Sequence, residues 1–288
     1  MKKLSINANA PISEILPYVG GKANMAKQIL TYFPSDIKVY VEPFSGMMRV
    51  FFQMDFTKFP QLEKIVYNDY NKLNVNFFRC LRHPEKLLYA CQSLKIHSPT
   101  VFKQAKAELF ADDFKIDLRR NDFDVAAKYA YLMCYVFSGT NPEKGSYTRP
   151  MEGRKHKWET FTDRLQSSKW HRYFLMIDVI ENLDFEDCIR RYDTGYTMFY
   201  TDPPYYKTET LYANHDFGLK DHKRLSDVLR SIRGYFILSY YEFDQLNQWY
   251  KGARYRWHTV SVKKSSGASK GKTLNTATEL LITNYENN

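Results

Sequence analysis

Four cysteines are all the chain has, Cys80, Cys91, Cys134 and Cys188, and none stands in a Cys-x-x-Cys pair or beside a cluster of histidines. That argues against a zinc site and against a disulfide framework, and free thiols in a reducing compartment are expected. No apolar run approaches the roughly 18 residues of a membrane span, and no charged-then-apolar leader opens the chain, so neither a span nor secretion is indicated. No Gly-x-Gly-x-x-Gly fingerprint follows a strand-like run, which disfavours a dinucleotide-dependent oxidoreductase. Acidic residues are short of balance as well: 32 Asp and Glu against 42 Lys and Arg leave a net charge of +10. Such a surface suits a polyanion partner better than a small acidic substrate, although a merely solvated basic surface is the plainer alternative.

What is present is globular. With 44% hydrophobic and 26% charged residues, 288 residues can bury a real core as one large domain or as a domain carrying a substantial insertion.

The most informative stretch is Met198-Phe199-Tyr200-Thr201-Asp202-Pro203-Pro204-Tyr205-Tyr206. Its apolar start reads as a buried strand of a parallel sheet, and the prolines, which lack the N–H a ladder needs, end it. Asp202 is thereby expected at a strand's carboxyl end, where open α/β sheets bind ligands. A carboxylate, an outward carbonyl and the Tyr205 ring, held by a stiff turn, suit a planar ring bearing an exocyclic amine. The alternative is an ordinary strand-ending turn with Asp as local cap and Tyr as rim packing.

Upstream, Pro17-Tyr18-Val19-Gly20-Gly21-Lys22 leads into an amphipathic stretch, 23–33. Its paired glycines could bring backbone amides close to a ligand or could form a plain turn. Val39-Tyr40-Val41 reads as a strand, Glu42-Pro43-Phe44-Ser45-Gly46 as its terminal loop, and Met47 to Met54 as the start of a core helix. A second strand, Lys64 to Asn68, ends in Asp69, 23 residues after Gly46. That is close to the roughly 20 residues at which an acid after the second strand accepts from ribose hydroxyls.

From Gly46 to Asp202 there are 156 residues, whereas about 60 to 90 would reach a fourth strand of a doubly wound sheet. An insertion is therefore expected over 84–178, with helices over 84–94, 99–110 and 122–137. A basic, aromatic loop follows, containing Lys144, Tyr147, Arg149, Arg154 and Lys155. Interleaved charge and rings in a glycine-containing loop are what backbone contact and base stacking would use, or else form a solvated loop over a helical bundle. After the insertion Asn182-Leu183-Asp184-Phe185 resembles another strand end. Helices are expected over 225–232 and 243–250, with strands over 235–241, 256–262 and 279–285. The last two form a hairpin that puts an antiparallel strand at one edge, and its loop carries Lys264, Lys270 and Lys272, suited to phosphates or merely flexible.

Taken together and in order, Pro17 to Lys22, Glu42 to Gly46, Asp69, Asp202-Pro203-Pro204-Tyr205 and Glu279-Leu280-Leu281-Ile282-Thr283-Asn284-Tyr285 make the chain resemble the Dam-type (D12 class) DNA adenine-N6 methyltransferases. The resemblance implies an α/β fold: a doubly wound, mostly parallel methyltransferase sheet with an antiparallel edge strand. Residues 1–83 and 179–288 would form the S-adenosylmethionine-binding catalytic domain, and 84–178 a largely helical inserted target-recognition domain. It implies methyl transfer from S-adenosylmethionine to a flipped-out adenine of duplex DNA, without a metal, in the cytoplasm or at the nucleoid of a bacterial or phage-infected cell. Restriction-modification is the kind of setting it suggests.

By the same resemblance Asp202, Pro203, Pro204 and Tyr205 would be catalytic, with Tyr205 stacked on the base. Tyr18, Gly21, Lys22, Glu42, Phe44, Gly46, Asp69, Asp184, Phe185 and Asp202 would surround the cofactor. Lys144, Tyr147, Arg149, Arg154, Lys155, Lys264, Lys270 and Lys272 would face DNA. Two stretches depart from the family's pattern: Met47-Met48-Arg49 replaces a small, glycine-rich run, and 139–158 replaces the usual hairpin. Pro-Pro-Tyr chemistry also serves cytosine amines and RNA adenines, where Ser or Asn more often precedes the prolines. A non-catalytic DNA-binding module with the same fold is the alternative from a different class.

Overall fold

The computed structural model describes residues 12, 14–18, 25–136, 141–206, 217–263 and 276–286. Seven strands make one sheet: β1 (Val39–Glu42), β2 (Lys64–Asn68), β3 (Val179–Glu181), β4 (Thr197–Thr201), β5 (Tyr235–Tyr240), β6 (Arg256–Lys263) and β7 (Thr276–Thr283). Their order is β3-β2-β1-β4-β5-β7-β6. The first five in that order are parallel, with Val39 level with both Lys64 and Thr197. The antiparallel pairing expected at one edge is the β6–β7 hairpin, in which β7 is the reversed strand and β6 lies outermost.

Every residue of β4 is buried, as a strand covered on both faces requires. Alternate residues go to opposite faces. Tyr40, Ile65, Tyr67, Met198 and Tyr200 join one apolar core, with α1 (Ala26–Leu30), α2 (Lys72–Leu81), α3 (Pro84–Gln92), α4 (Pro99–Leu109), α5 (Phe123–Tyr135), α6 (Lys157–Gln166) and α7 (Ser168–Met176) packed into it. Val41, Val66, Phe199, Phe236 and Leu238 form the other, against α8 (Phe185–Tyr192), α9 (Leu219–Ser231) and α10 (Leu246–Trp249).

The helices expected within 84–137 are α3, α4 and α5. Each has a local reason to begin where it does: proline opens α3 and α4, whose missing N–H costs nothing there, and Ser98 and Asp122 cap α4 and α5. Residues 84–136 and 141–178 share the core of the sheet's face. Phe77 of α2 meets Phe161 of α6 with ring centroids 5.9 Å apart, and Phe52 meets Trp170 of α7 at 5.6 Å.

One element departs from expectation. Met47 to Met54 does not continue as a helix, because Gly46 and Met48 both take positive φ, 49° and 50°, and a left-handed residue cannot extend a right-handed turn. Only the single 3-10 turn Phe51–Gln53 forms.

Candidate active site

The sheet brings the carboxyl ends of β1 and β4 side by side, and the chemistry-bearing loops leave from there. After β4 comes Asp202, half-buried, then Pro203, Pro204 and Tyr205, all buried. The Tyr205 hydroxyl donates to the carboxylate of Glu279 on β7, to which Ser239 of β5 also donates at 2.5 Å. Burial pushes the Tyr205 phenol well above its ordinary range, and the charges of Asp202 and Glu279 add to this. It therefore stays protonated and is the donor. The ring packs against Tyr241, which stands edge-on with centroids 4.6 Å apart and is itself 37% exposed.

The last residue of β1 is Glu42, buried, accepting at 2.6 Å from the Tyr40 hydroxyl. Burial pushes its carboxyl up to about 8, against the Tyr40 and Phe51-amide hydrogen bonds that lower it; the Asp202 charge raises it further. Glu42 is thus largely protonated at neutral pH beside an acid that would repel its anion.

Gly46 closes this loop under two constraints. Its φ of 49° is one that L side chains rarely adopt, and a Cβ placed there would stand 3.0 Å from the Tyr18 ring. Its amide donates to Asp69 Oδ2 at 2.8 Å, while Asp69 Oδ1 accepts from the Asn71 amide at 2.7 Å. Asn74 donates to both Asp69 and the Tyr18 hydroxyl, each at 3.2 Å, and accepts from Tyr129 at 2.7 Å. Burial, with the nearby Asp69 charge, pushes the Tyr18 phenol up. Tyr18, Gly46 and Asp69, far apart in sequence, are therefore one hydrogen-bonded group.

The residues that replace the glycine-rich run have structural work of their own. Met47 and Met48 are buried in the core. Arg49 pairs with Glu14 and donates to the Tyr18 carbonyl at 3.3 Å, so it fastens the segment that carries Tyr18.

Asn68 fastens the third loop. Its amide donates to the Pro43 and Leu183 carbonyls at 2.9 and 3.2 Å, and its oxygen accepts from the Leu183 amide at 2.9 Å. Phe44 and Phe185 are thereby held in a stack, centroids 5.4 Å apart, with Phe217 edge-on to Phe44 at 5.7 Å. Asp184 caps α8 and pairs at 2.8 Å with Arg224, whose guanidinium lies 4.8 Å from the Phe185 ring centroid.

Asn68, Asn74, Phe217 and Arg224 did not stand out in the sequence. The three-residue spacing of Asn68, Asn71 and Asn74 just after an apolar strand was the available signal for two of them.

In the basic loop, Lys144, Arg149, Arg154 and Lys155 are exposed, Lys155 in an ion pair with Asp163. Tyr147 instead packs inward, stacked on Tyr135 with centroids 5.5 Å apart and pinned by the Val136–Tyr147 bridge. Gly21, Lys22, Lys264, Lys270 and Lys272 lie outside the described residues. Among the described residues no helix is long and apolar enough to cross a membrane, and no group of three His, Cys, Asp or Glu could hold a metal ion. The four cysteines are buried and unbridged.

The chain is similar to proteins of known family. The family model for D12 class N6 adenine-specific DNA methyltransferase matches residues 18–266. The type II methyltransferase M1.LlaDCHI of Lactococcus lactis subsp. cremoris is 26% identical over 293 residues, covering 94% of each chain. M.CviBI of Paramecium bursaria Chlorella virus NC1A is 24% identical, covering 94% of this chain and 99% of its own. A DNA adenine methylase of Haemophilus influenzae is 23% identical, covering 92% and 91%.

Proposed function

The chain belongs to the D12 class N6 adenine-specific DNA methyltransferases, and from that premise we propose that the Asp202-Pro203-Pro204-Tyr205 loop receives an adenine flipped out of duplex DNA, while Tyr18, Glu42, Phe44, Gly46, Asp69, Asp184 and Phe185 surround S-adenosylmethionine. The observation that carries this reading is the register of β1 and β4, in which Val41 stands level with Phe199, so that the loop from Asp202 leaves beside the loop from Glu42 to Gly46 that packs on Tyr18. The acid of β4 and the cofactor-side residues of β1 and the segment before it thus stand in one place.

The residues present suit this cofactor. Gly46 keeps the loop close against Tyr18 where a side chain would intrude, and the half-exposed Phe44, stacked on Phe185, offers a flat apolar surface. When bound, S-adenosylmethionine would supply a methyl already activated on a sulfonium, its sulfur leaving as a neutral thioether, and the proton that the amine gives up would pass to solvent.

The protein's part is positioning and electrostatics. An adenine amine feeds its lone pair into the ring and is a poor nucleophile. The Asp202 carboxylate and the Pro203 carbonyl accept its two hydrogens and stabilise the positive charge that grows on nitrogen. The amine is out of reach within a stacked duplex, so the base leaves the helix at a cost of a few kcal/mol. Residues 84–178 serve target recognition, with Lys144, Arg149 and Arg154 on phosphates. Such an enzyme works in the cytoplasm, at the nucleoid.

The test is transfer of labelled methyl from S-adenosylmethionine to mixed-sequence duplex DNA, with nucleoside analysis and RNA as a parallel substrate. N6-methyladenine in DNA is expected. Methylcytosine, or methylation confined to RNA, would overturn the reading.

A further inference from the structure

Glu279 stands out among the buried groups to which the proposed reaction gives no part. It is 3% exposed, and a carboxylate there is costly unless donors surround it. Its neighbours along β7, Leu280, Leu281 and Ile282, are buried and apolar, so packing alone gives no reason for an acid.

The topology brings it to the site. β7 is antiparallel to β5, with Tyr240 opposite Leu280. Glu279 therefore lies one position beyond the end of β5, level with the loop that leaves β4. There it accepts from two hydroxyls, those of Ser239 and Tyr205.

We propose that Glu279 is a positioning residue for methyl transfer, fixing the Tyr205 ring by holding its hydroxyl from β7, two strands away from β4 in the sheet. The proposal rests on the reading of Asp202 to Tyr205 as the adenine site. Pro203 and Pro204 fix the backbone that leads to Tyr205, but a phenol ring still turns about its own side-chain bonds. A hydrogen bond at the ring's distal atom fixes where the ring's axis points, and Tyr240 and Tyr241, packed on the ring with centroids 5.7 and 4.6 Å away, restrict its turning about that axis. Ser239 donates to the same carboxylate oxygen, Oε1, and keeps Glu279 aimed. The ring's plane is thus set before a base arrives, and the base meets an ordered surface.

The role is distinguishable from mere stability. Single-turnover methyl transfer is measured for the unaltered protein, Tyr205→Phe, Glu279→Gln, Glu279→Ala and the Tyr205→Phe/Glu279→Ala pair. S-adenosylmethionine affinity is followed by calorimetry, and base extrusion by 2-aminopurine at the target position. Tyr205→Phe keeps the ring and loses only the hydroxyl. It is expected to slow transfer roughly tenfold or more, the worth of one hydrogen bond to a charged group, with cofactor affinity unchanged. Glu279→Gln, which still offers an acceptor, should retain more activity than Glu279→Ala. In the double variant the two losses should not multiply, and the 2-aminopurine signal should change in the same way in every variant lacking the bond.

Multiplying losses, or full activity in Tyr205→Phe, would overturn the positioning role while leaving the adenine reading intact. Absence of methyladenine with the unaltered protein would sink that reading, and this proposal with it.

Discussion

The amide of Gly46 donates to the Asp69 carboxylate at 2.8 Å, closing the loop after β1 onto the end of β2. The same glycine has a φ of 49° and leaves only 3.0 Å between a would-be Cβ and the Tyr18 ring. Gly46→Ala is therefore expected to cost about 1–2 kcal/mol for the left-handed backbone alone, and to push Tyr18 out of place. Calorimetry should find cofactor affinity weakened by roughly tenfold or more; unchanged affinity would mean that Tyr18 and Gly46 do not face the cofactor.

Asp202→Ala should reduce methyl transfer by roughly a hundredfold or more, the usual consequence of removing one preorganised group from a developing charge. Affinity for duplex DNA in a gel-shift assay should change little if, as proposed, Asp202 meets the base and the basic loop meets the phosphates. Normal turnover in this variant would refute its assignment as the amine acceptor.

Glu42 gives a pH signature. Its folded value of about 8 lies above the ordinary carboxyl value of 4.5, so its contribution to stability is fully present below the unfolded value and is lost as pH rises through the folded one. Glu42→Gln keeps the acceptor for Tyr40 and removes the titration. The melting temperature of the unaltered protein should fall relative to this variant between about pH 5 and pH 9, by the equivalent of a few kcal/mol. Parallel melting curves across that range would show that Glu42 is not a buried, largely neutral acid.

The basic loop separates into two kinds of residue. Lys144→Ala and Arg149→Ala should weaken DNA binding nearly uniformly across sequences, and each should lower the salt-dependence slope by about one for the phosphate it no longer neutralises. Tyr147→Ala should instead lower thermal stability by about 1–3 kcal/mol, because its ring fills the stack with Tyr135. A Tyr147→Ala protein of unchanged stability but without sequence preference would reverse this division.

Much of the fold could be read from the sequence because its strands announce themselves. Val39 to Val41, Lys64 to Asn68 and Met198 to Thr201 are short apolar runs ending in acids or prolines, and all three are strands of the sheet. Asp69, Gly46 and Tyr18 could each be picked out as candidates. Their grouping through Asn74 could not, since it depends on a side chain on α2 reaching both Asp69 and the hydroxyl of Tyr18, 56 residues upstream. The Met47 to Met54 stretch misled because an apolar run carries no mark of backbone handedness, and the left-handed Met48 shows only in three dimensions. Tyr147 was legible as an aromatic beside charges, but which way it faces is decided by Tyr135, a helix away. Phe217 and Arg224 come to the site through α8 and α9 packing, which no local spacing encodes.

The strand order also sets a sequence of events in chain assembly. β6 is made before β7, yet among the described residues it pairs in the sheet only with β7, which enters between β5 and β6. While a nascent chain lacks residues 276–283, the open edge of β5 has no ladder partner, and Ser239 has no carboxylate to bond. The proposed hold on the Tyr205 ring can therefore form only once residues 276–283 have entered between β5 and β6, whatever else of the sheet is already in place.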